Sequence, residues 1–228
     1  MARTQPTDIK DNAPPVAEAE ERRPRGRPQV RSDEETRAII FEAARHEFAE
    51  RGFAATSVEN IARRAGVSTK TVYRLIQNKA ALFEGMITDR IDRFVSAVNF
   101  SACENQKIEL ALEAALQTCA DLILDPEVIA LQRMILSESD TFPGVAETFY
   151  RSAMRRTVGA LAAWLEQQEK PGRIAIGDAD EAAGMLLGMM AFEPQRAVWF
   201  GHKTPLDRKA IEARVRACVA LFLKGCGH

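Results

Sequence analysis

The residues of this chain best suited to chemistry are short hydroxyls, cations and one phenol: Thr56, Ser57, Ser68, Thr69, Lys70, Thr71, Tyr73, Arg74 and Lys79. Side chains of this kind donate hydrogen bonds to phosphate oxygens and to base edges, so they suit gripping a duplex rather than breaking a bond. Residues 57–79 carry Arg63, Arg64, Lys70, Arg74 and Lys79 against Glu59 alone, while the 228 residues together sum to −1. Positive charge is concentrated in one short stretch of an otherwise acidic chain.

To present that row, the stretch must fold as two short helices with a tight turn between them, over residues 57–76. Thr56 and Glu59 have the spacing of a capping box, which starts the first helix near Ser57. Val58, Ile61 and Ala62 give it one apolar stripe. Gly66 then interrupts the helix, because glycine takes left-handed backbone angles without a Cβ clash. Ser68 is placed as the next N-cap, and Val72 with Leu75 or Ile76 buries the second helix. Thr69, Lys70, Thr71, Tyr73 and Arg74 are left facing outward, as in a helix that enters a major groove. A plain helical hairpin with a polar face has the same outline, and it is the clustered charge that favours a helix-turn-helix.

Helices on either side brace the pair. Ser32 and Glu35 form a second capping box, and the helix they open sets Ile40, Ala43, Ala44 and Phe48 on one face until Arg51-Gly52 ends it. Asn78 caps a fourth helix, whose apolar positions continue from Leu82 to about residue 100. Lys79 in its first turn opposes the helix dipole unless it serves a partner, and a phosphate is the expected one. The fourth helix is the expected mechanical link to the rest of the chain.

The run R-A-I-I-F-E-A-A-R-H-E-F-A-E-R-G-F-A-A-T-S-V-E-N-I-A-R-R-A-G-V-S-T-K-T-V-Y-R-L-I-Q-N-K-A-A-L-F resembles the N-terminal domain of TetR-family transcriptional regulators, over about residues 33–93. Two departures stand out: Ile76 where the family usually has an aromatic, and Ala80-Ala81 where an acid commonly follows the lysine. Further on, L-Q-R-M-I-L-S-E-S, F-P-G-V-A-E-T-F-Y and L-L-G-M-M-A-F-E-P-Q-R-A-V-W-F-G resemble more loosely the ligand-binding half of the branch typified by the AefR repressor. The resemblance implies an all-α protein with three parts. These are an arm over 1–31, a helix-turn-helix domain over 32–93 and a helical ligand-binding and dimerisation domain over 94–228. It also implies a homodimer on a palindromic operator of double-stranded DNA, and a small-molecule effector.

The remaining pattern agrees with an all-helical chain of nine helices. Residues 1–30 are polar and proline-punctuated, and are expected to be disordered. Within them Arg25 and Arg27 of R-G-R-P resemble the core of an AT-hook, which lies in a narrow minor groove; a solvated basic leader is the plainer reading. Beyond residue 101 helices are expected over 108–124, 128–136, 142–168, 182–200 with an interruption at Pro194, and 206–224. The last helix carries Ile211, Val215, Cys218 and Phe222, and the one before it Met185 and Met189. Together they form a stripe expected to pair two chains, although an ordinary core has the same composition. Phe100, Met134, Phe149, Trp164 and Met185 suit an adaptable apolar pocket, with Arg196 in reach of an acidic ligand, and each suits a plain core equally well.

Composition excludes several classes. No apolar run reaches the roughly 18–20 residues of a membrane span; the best, 182–192, is too short, and the N-terminal stretch has Pro14, Pro15 and acids where a signal peptide is apolar, so a cytoplasmic location is expected. Cys103, Cys119, Cys218 and Cys226 form no C-x-x-C pair and His46, His202 and His228 do not cluster with them, so neither metal nor cofactor is expected. Cysteine oxidation, most plausible at Cys226, and a protein partner are the alternative switches. A recombinase-like enzyme needs a nucleophile or paired metal-binding acids, and no such arrangement is found; no catalytic residue is assigned.

Overall fold

Three acids, Asp33, Glu34 and Glu35, meet the positive end of the first helix dipole, and α1 runs Asp33–Ala55 with a break at Gly52 (φ 84°, ψ 168°). The structure, a computed structural model, describes Met1, residues 31–100 and residues 106–226, with the backbone alone of Asn99, Phe100 and Cys226. The arm with Arg25 and Arg27, and Cys103 and His228, lie outside the described residues, as do the side chains of Phe100 and Cys226. After α1 come α2 Val58–Ala65, α3 Thr69–Leu75, α4 Lys79–Phe100, α5 Ile108–Ile123 and α6 Pro126–Glu138. Helix α7 spans 143–169, with a π-wound stretch Tyr150–Arg155 between the α-helical Pro143–Phe149 and Arg156–Glu169; α8 is Ala179–Trp199 and α9 is Arg208–Cys226. These are nine helices, with no strand among the described residues.

Capping residues set most of the boundaries. Asp125 accepts from the N–H groups of Glu127 and Val128 ahead of Pro126, and Asp178 accepts from Glu181. The expected interruption at Pro194 does not occur: α8 runs through it. A mid-helix proline leaves the carbonyl four residues earlier without a donor. That carbonyl belongs to Met190, and Arg214 of α9 supplies its Nε–H at 2.5 Å, with a second nitrogen donating to Met189 O at 2.9 Å.

Two apolar interiors result. One joins Phe94 and Val98 of α4 to α5, α8, α9 and the second part of α7, around Trp164. The other holds α1 to α4 together, and Leu131, Met134 and Ile135 of α6 with Val145, Phe149 and Ala153 of α7 belong to it. Phe48, Phe53 and Phe83 pack ring to ring, and Phe142, just before α7, closes on Phe53 with centroids 5.1 Å apart. The helices beyond α4, the body, thus reach directly into the core of α1 to α4, the reading head.

Candidate nucleic-acid interface and body cavity

The turn between α2 and α3 forms as its residues dictate. Gly66 is left-handed (φ 66°) and its N–H closes onto Ala62 and Arg63. Ser57 Oγ accepts from Asn60 N at 3.2 Å and Ser68 Oγ from Thr71 N at 3.0 Å, one cap for each helix. Val72 and Ile76 are buried beneath α3. Lys70 and Tyr73, the latter 52% exposed, stand outward; Thr69 and Thr71 are half-buried, and the Thr71 hydroxyl shares a 2.8 Å hydrogen bond with Ser68.

Two expected contact residues have other work. The N-cap lies one residue later than expected and no reciprocal box forms: Ser57 is the cap, and Thr56 is 2% exposed, its hydroxyl donating toward Gly52 O (2.7 Å) and Glu47 O (3.0 Å). Lys79 does not await a phosphate. Its Nζ donates to the carbonyls of Phe53 (2.7 Å), Thr56 (3.0 Å) and Ala54 (3.3 Å) and lies 4.6 Å from the centre of the Phe53 ring. An ammonium has three protons, and all three are engaged in closing the end of α1.

Three of the other cations are also engaged. Arg64 joins α2 to α1 through Glu47 (2.8 Å) and Glu50 (2.6 Å), and Arg51 reaches Glu47 at 2.9 Å, so the buried Glu47 carboxylate meets two guanidiniums. Arg74 is held by both oxygens of Asp33 at 2.8 and 2.9 Å, a hydrogen bond that raises its pKa. Arg63 pairs with Asn60. Of the five cations in 57–79, Lys70 alone has no partner among the described residues.

Behind the head lies an apolar cavity of about 290 Å³, open on one side and lined by residues of α4, α5, α6, α7 and α8, with Arg45 of α1 in its wall. The π-wound turn of α7 faces it through Ala153 and Met154, a place where such windings often serve function. Half-exposed Met154 and Phe192 mark its rim. The polar side chains in its wall include Arg45, Arg90, Glu127, Gln132 and Gln195. Arg45 pairs with Glu42 and Glu127, Arg90 with Asp125 (3.2 Å), and Gln195 Nε2 donates to Gln132 Oε1 (2.9 Å) and Ile123 O (3.2 Å). The Arg45 bond to Glu42 holds that carboxylate below its usual pKa.

Of the expected ligand residues whose side chains are described, only Phe149 is among those lining the cavity. Trp164 is 1% exposed inside the body core, Met185 is 62% exposed, and Arg196 stacks over the outward Phe192 ring at 4.9 Å. Met134 borders a separate cleft of about 390 Å³ between α1, α6 and Trp199. Arg45, Arg90 and Glu127 of this wall were not singled out from the sequence. The available signal was the place of Arg90 beside Ile87, Ile91 and Phe94 in the apolar stripe of α4.

The expected pairing stripe divides similarly. Ile211, Val215 and Cys218 are buried in the chain's own core, and Met189 and Phe222 are half-buried against it. The reason is that this face of α9 packs on α5. Met185 and Phe192 of α8 and Leu221 of α9 are the outward apolar residues. Cys119 is fully buried, and desolvation pushes its thiol up to about 12; burial also raises Cys218, opposed by Arg214. Neither is a poised thiolate. Among the described residues no helix is long and apolar enough to cross a membrane.

Residues 40–86 match the family of bacterial regulatory proteins, tetR family, and residues 110–225 match the AefR-like transcriptional repressor C-terminal domain. The chain is similar to the uncharacterized HTH-type transcriptional regulator YdeS of Bacillus subtilis (strain 168), with 44% identity over 71 residues. That match covers 29% of this chain and 34% of YdeS, about a third of the relative's length. Among solved structures it resembles a TetR-family transcriptional regulator of Mesorhizobium loti MAFF303099, with TM-score 0.74 and 26% identity over 86% of this chain and 98% of that one. The flavonoid-responsive regulator FrrA gives TM-score 0.61 and 29% identity over 85% and 97%. FadR of Bacillus subtilis, solved with stearoyl-CoA, shares the fold at TM-score 0.64 and 20% identity over 82% and 98%.

Proposed function

Because this chain belongs to the TetR family, with a body of the AefR-like repressor type, we propose that it represses transcription from a palindromic operator and releases it when a small apolar molecule enters the body cavity. The observation that carries the DNA half is α3: two caps and a left-handed glycine fix it, Val72 and Ile76 anchor it, and Lys70 and Tyr73 face out. Lys70 and Tyr73 are the leading base or phosphate contacts, with Ser57 and Ser68 beside them. Arg74 joins them only by leaving Asp33.

Two such helices must sit about 34–36 Å apart to meet successive major grooves, which calls for a homodimer. The outward Met185, Phe192 and Leu221 are the apolar residues offered for it. Residues 32–93 are then the DNA-binding part and 94–228 the pairing part and most of the effector part, with Arg45 of α1 and Met86, Ile87, Arg90 and Ile91 of α4 completing the cavity wall. The release half is supported by the cavity and by the descriptions of two relatives, FrrA as flavonoid-responsive and FadR in complex with stearoyl-CoA.

Linkage supplies the mechanism. A molecule that prefers one arrangement of head and body shifts the population toward it, and DNA affinity falls by the reciprocal factor. The route is α6 as well as α4. One side of α6 gives Val128, Leu131 and Gln132 to the cavity. The same helix grips α1 at both ends, through Glu127 on Arg45 and through Glu138, whose Oε2 accepts from Ala54 N at 3.1 Å. Selection on random duplexes with the full chain tests the reading. It should enrich an inverted repeat; enrichment of single, unrepeated sites, or none, refutes it.

A further inference from the structure

On the reading that two copies pair and that the body cavity takes the effector, we infer that the second copy closes the open side of that cavity. Its α8 crosses this one antiparallel and brings the partner subunit's Met185 to the rim. The exposed residues of the cavity wall are Met154 of α7 and Gly184, Gly188 and Phe192 of α8, and the rest of the wall is buried or half-buried. The opening therefore lies along the outward face of α8. A Cβ added at Gly184 or Gly188 would meet nothing within 4 Å, so none of the described residues crowds this face.

That face is complementary to itself. Glu181, Met185, Gly188, Phe192 and Arg196 are all exposed, and steps of three or four residues set them in one stripe. A two-fold axis between residues 188 and 189 inverts the stripe onto its copy. Glu181 then falls opposite the partner subunit's Arg196, and Met185 opposite the partner subunit's Phe192. Glycine is left at the crossing, where the backbones come closest. A parallel pair would instead set each charge against its own copy. The neighbouring Asp180 and Glu193 are taken within the chain by Arg155 and Lys203. Glu181 and Arg196 have no ion-pair partner among the described residues, and Arg196 rests on the Phe192 ring at 4.9 Å.

Geometry puts the crossing over the opening. At 1.5 Å per residue, Gly184 and Phe192 lie about 7 and 5 Å to either side of the midpoint. Glu181 and Arg196 lie about 11 Å out, and a crossing of roughly 20° offsets them sideways by about 4 Å, within reach of their side chains. An apolar molecule in the cavity is then covered on its exposed side, which removes more of its surface from water and tightens its binding. By linkage the same molecule tightens the pair by the same factor.

The test exchanges the two charges in the full chain. Glu181→Arg and Arg196→Glu each set like charges face to face twice in a dimer, and each should raise the dimer dissociation constant, read by sedimentation, about tenfold. The double variant re-forms both pairs and should return to within about threefold of the unaltered chain, which also controls for folding. The neutral dye N-phenyl-1-naphthylamine fluoresces in apolar surroundings. It should bind the unaltered dimer and the double variant about tenfold more tightly than the single variants held at a concentration where they are monomeric. No recovery in the double variant, or a dissociation constant indifferent to all three, overturns the inference and leaves a homodimer paired by another face. Recovered pairing with equal dye affinity in monomer and dimer overturns the closure of the cavity. A chain that stays monomeric at every concentration overturns the homodimer reading as well and leaves this face to a different protein. Absence of dye binding in every form overturns the cavity reading and the inference with it.

Discussion

The reading head and the body cavity are held by opposite kinds of contact. In the head, Ser57 reaches Asn60, Ser68 reaches Thr71 and Gly66 closes onto Ala62 and Arg63. The body cavity takes its wall from residues as far apart as Arg45 and Gln195, with no local device to fix it. Local caps make a rigid part whose outward face does not depend on distant packing. A cavity walled by several helices exists only while those helices keep their places, so a bound molecule and a helix shift are coupled through it. The seam between the two parts, α1 against α6, combines both kinds of contact.

Breaking the seam should have the largest effect. Gly52 has φ 84° and ψ 168°, a conformation nearly reserved for glycine, and a Cβ there would lie 2.5 Å from Glu138 Oε1. Gly52→Ala should therefore cost about 3 kcal/mol in urea unfolding, from backbone strain plus overpacking. Adding Glu138→Ala should relieve the contact and leave the backbone strain. Full recovery in the double variant would mean that the conformation of Gly52 carries no strain.

Next comes Lys79, where the head turns its charge inward. Lys79→Ala removes three carbonyl contacts and the stacking on Phe53, and should cost about 2 kcal/mol of stability. The salt dependence of operator binding should stay unchanged, because no phosphate contact is lost. A flatter salt slope with unchanged stability would return Lys79 to the DNA.

The two regions also differ in how far the sequence could be read, for the same physical reason. A cap acts over three residues, so Ser68 and Asn78 were legible, and Asn78 Oδ1 indeed accepts from Ala81 N at 2.8 Å, while the cap expected at Thr56 falls one residue later, at Ser57. Lys79 and Thr56 were misread because their partners lie elsewhere: a lysine in a first turn looks free until the carbonyls of residues 53–56 fold over it. The proline in α8 looked like a break because its remedy, Arg214, comes from another helix. In the body, residue type pointed to Trp164, Met134 and Met185, but type does not say which side of a helix faces a gap. Phe149 does border the cavity, as do Arg90 and Glu127, which were not singled out from the sequence.

A smaller effect sharpens the view of the head's outward face. Lys70 is the cation of 57–79 with no partner among the described residues, so Lys70→Ala should leave the folded chain as stable as before. If each Lys70 of a dimer meets one phosphate, the slope of log affinity against log salt should fall in magnitude by about 2. If it meets bases instead, the slope should change less and the preferred operator should change at one symmetric position. An unchanged slope and an unchanged preference would remove Lys70 from the interface.

The smallest effect concerns the dry interior of the body. The head buries a charge and surrounds it, as Glu47 is met by Arg51 and Arg64, whereas the body buries Cys119 with no cation to favour a thiolate. Desolvation therefore raises the folded pKa to about 12, against about 8.5 for an unfolded thiol. Above 8.5 the unfolded chain gives up this proton while the folded chain keeps it, so stability from this group is complete below 8.5 and declines as pH rises toward 12. At pH 9 the loss should be about 1 kcal/mol, read as the difference between the unaltered chain and Cys119→Ala in denaturant unfolding across pH 7 to about 10. Parallel curves for the two proteins, or rapid alkylation of Cys119 in the folded state at pH 8, would mean that water reaches this interior and that the contrast with the head is one of shape and not of polarity.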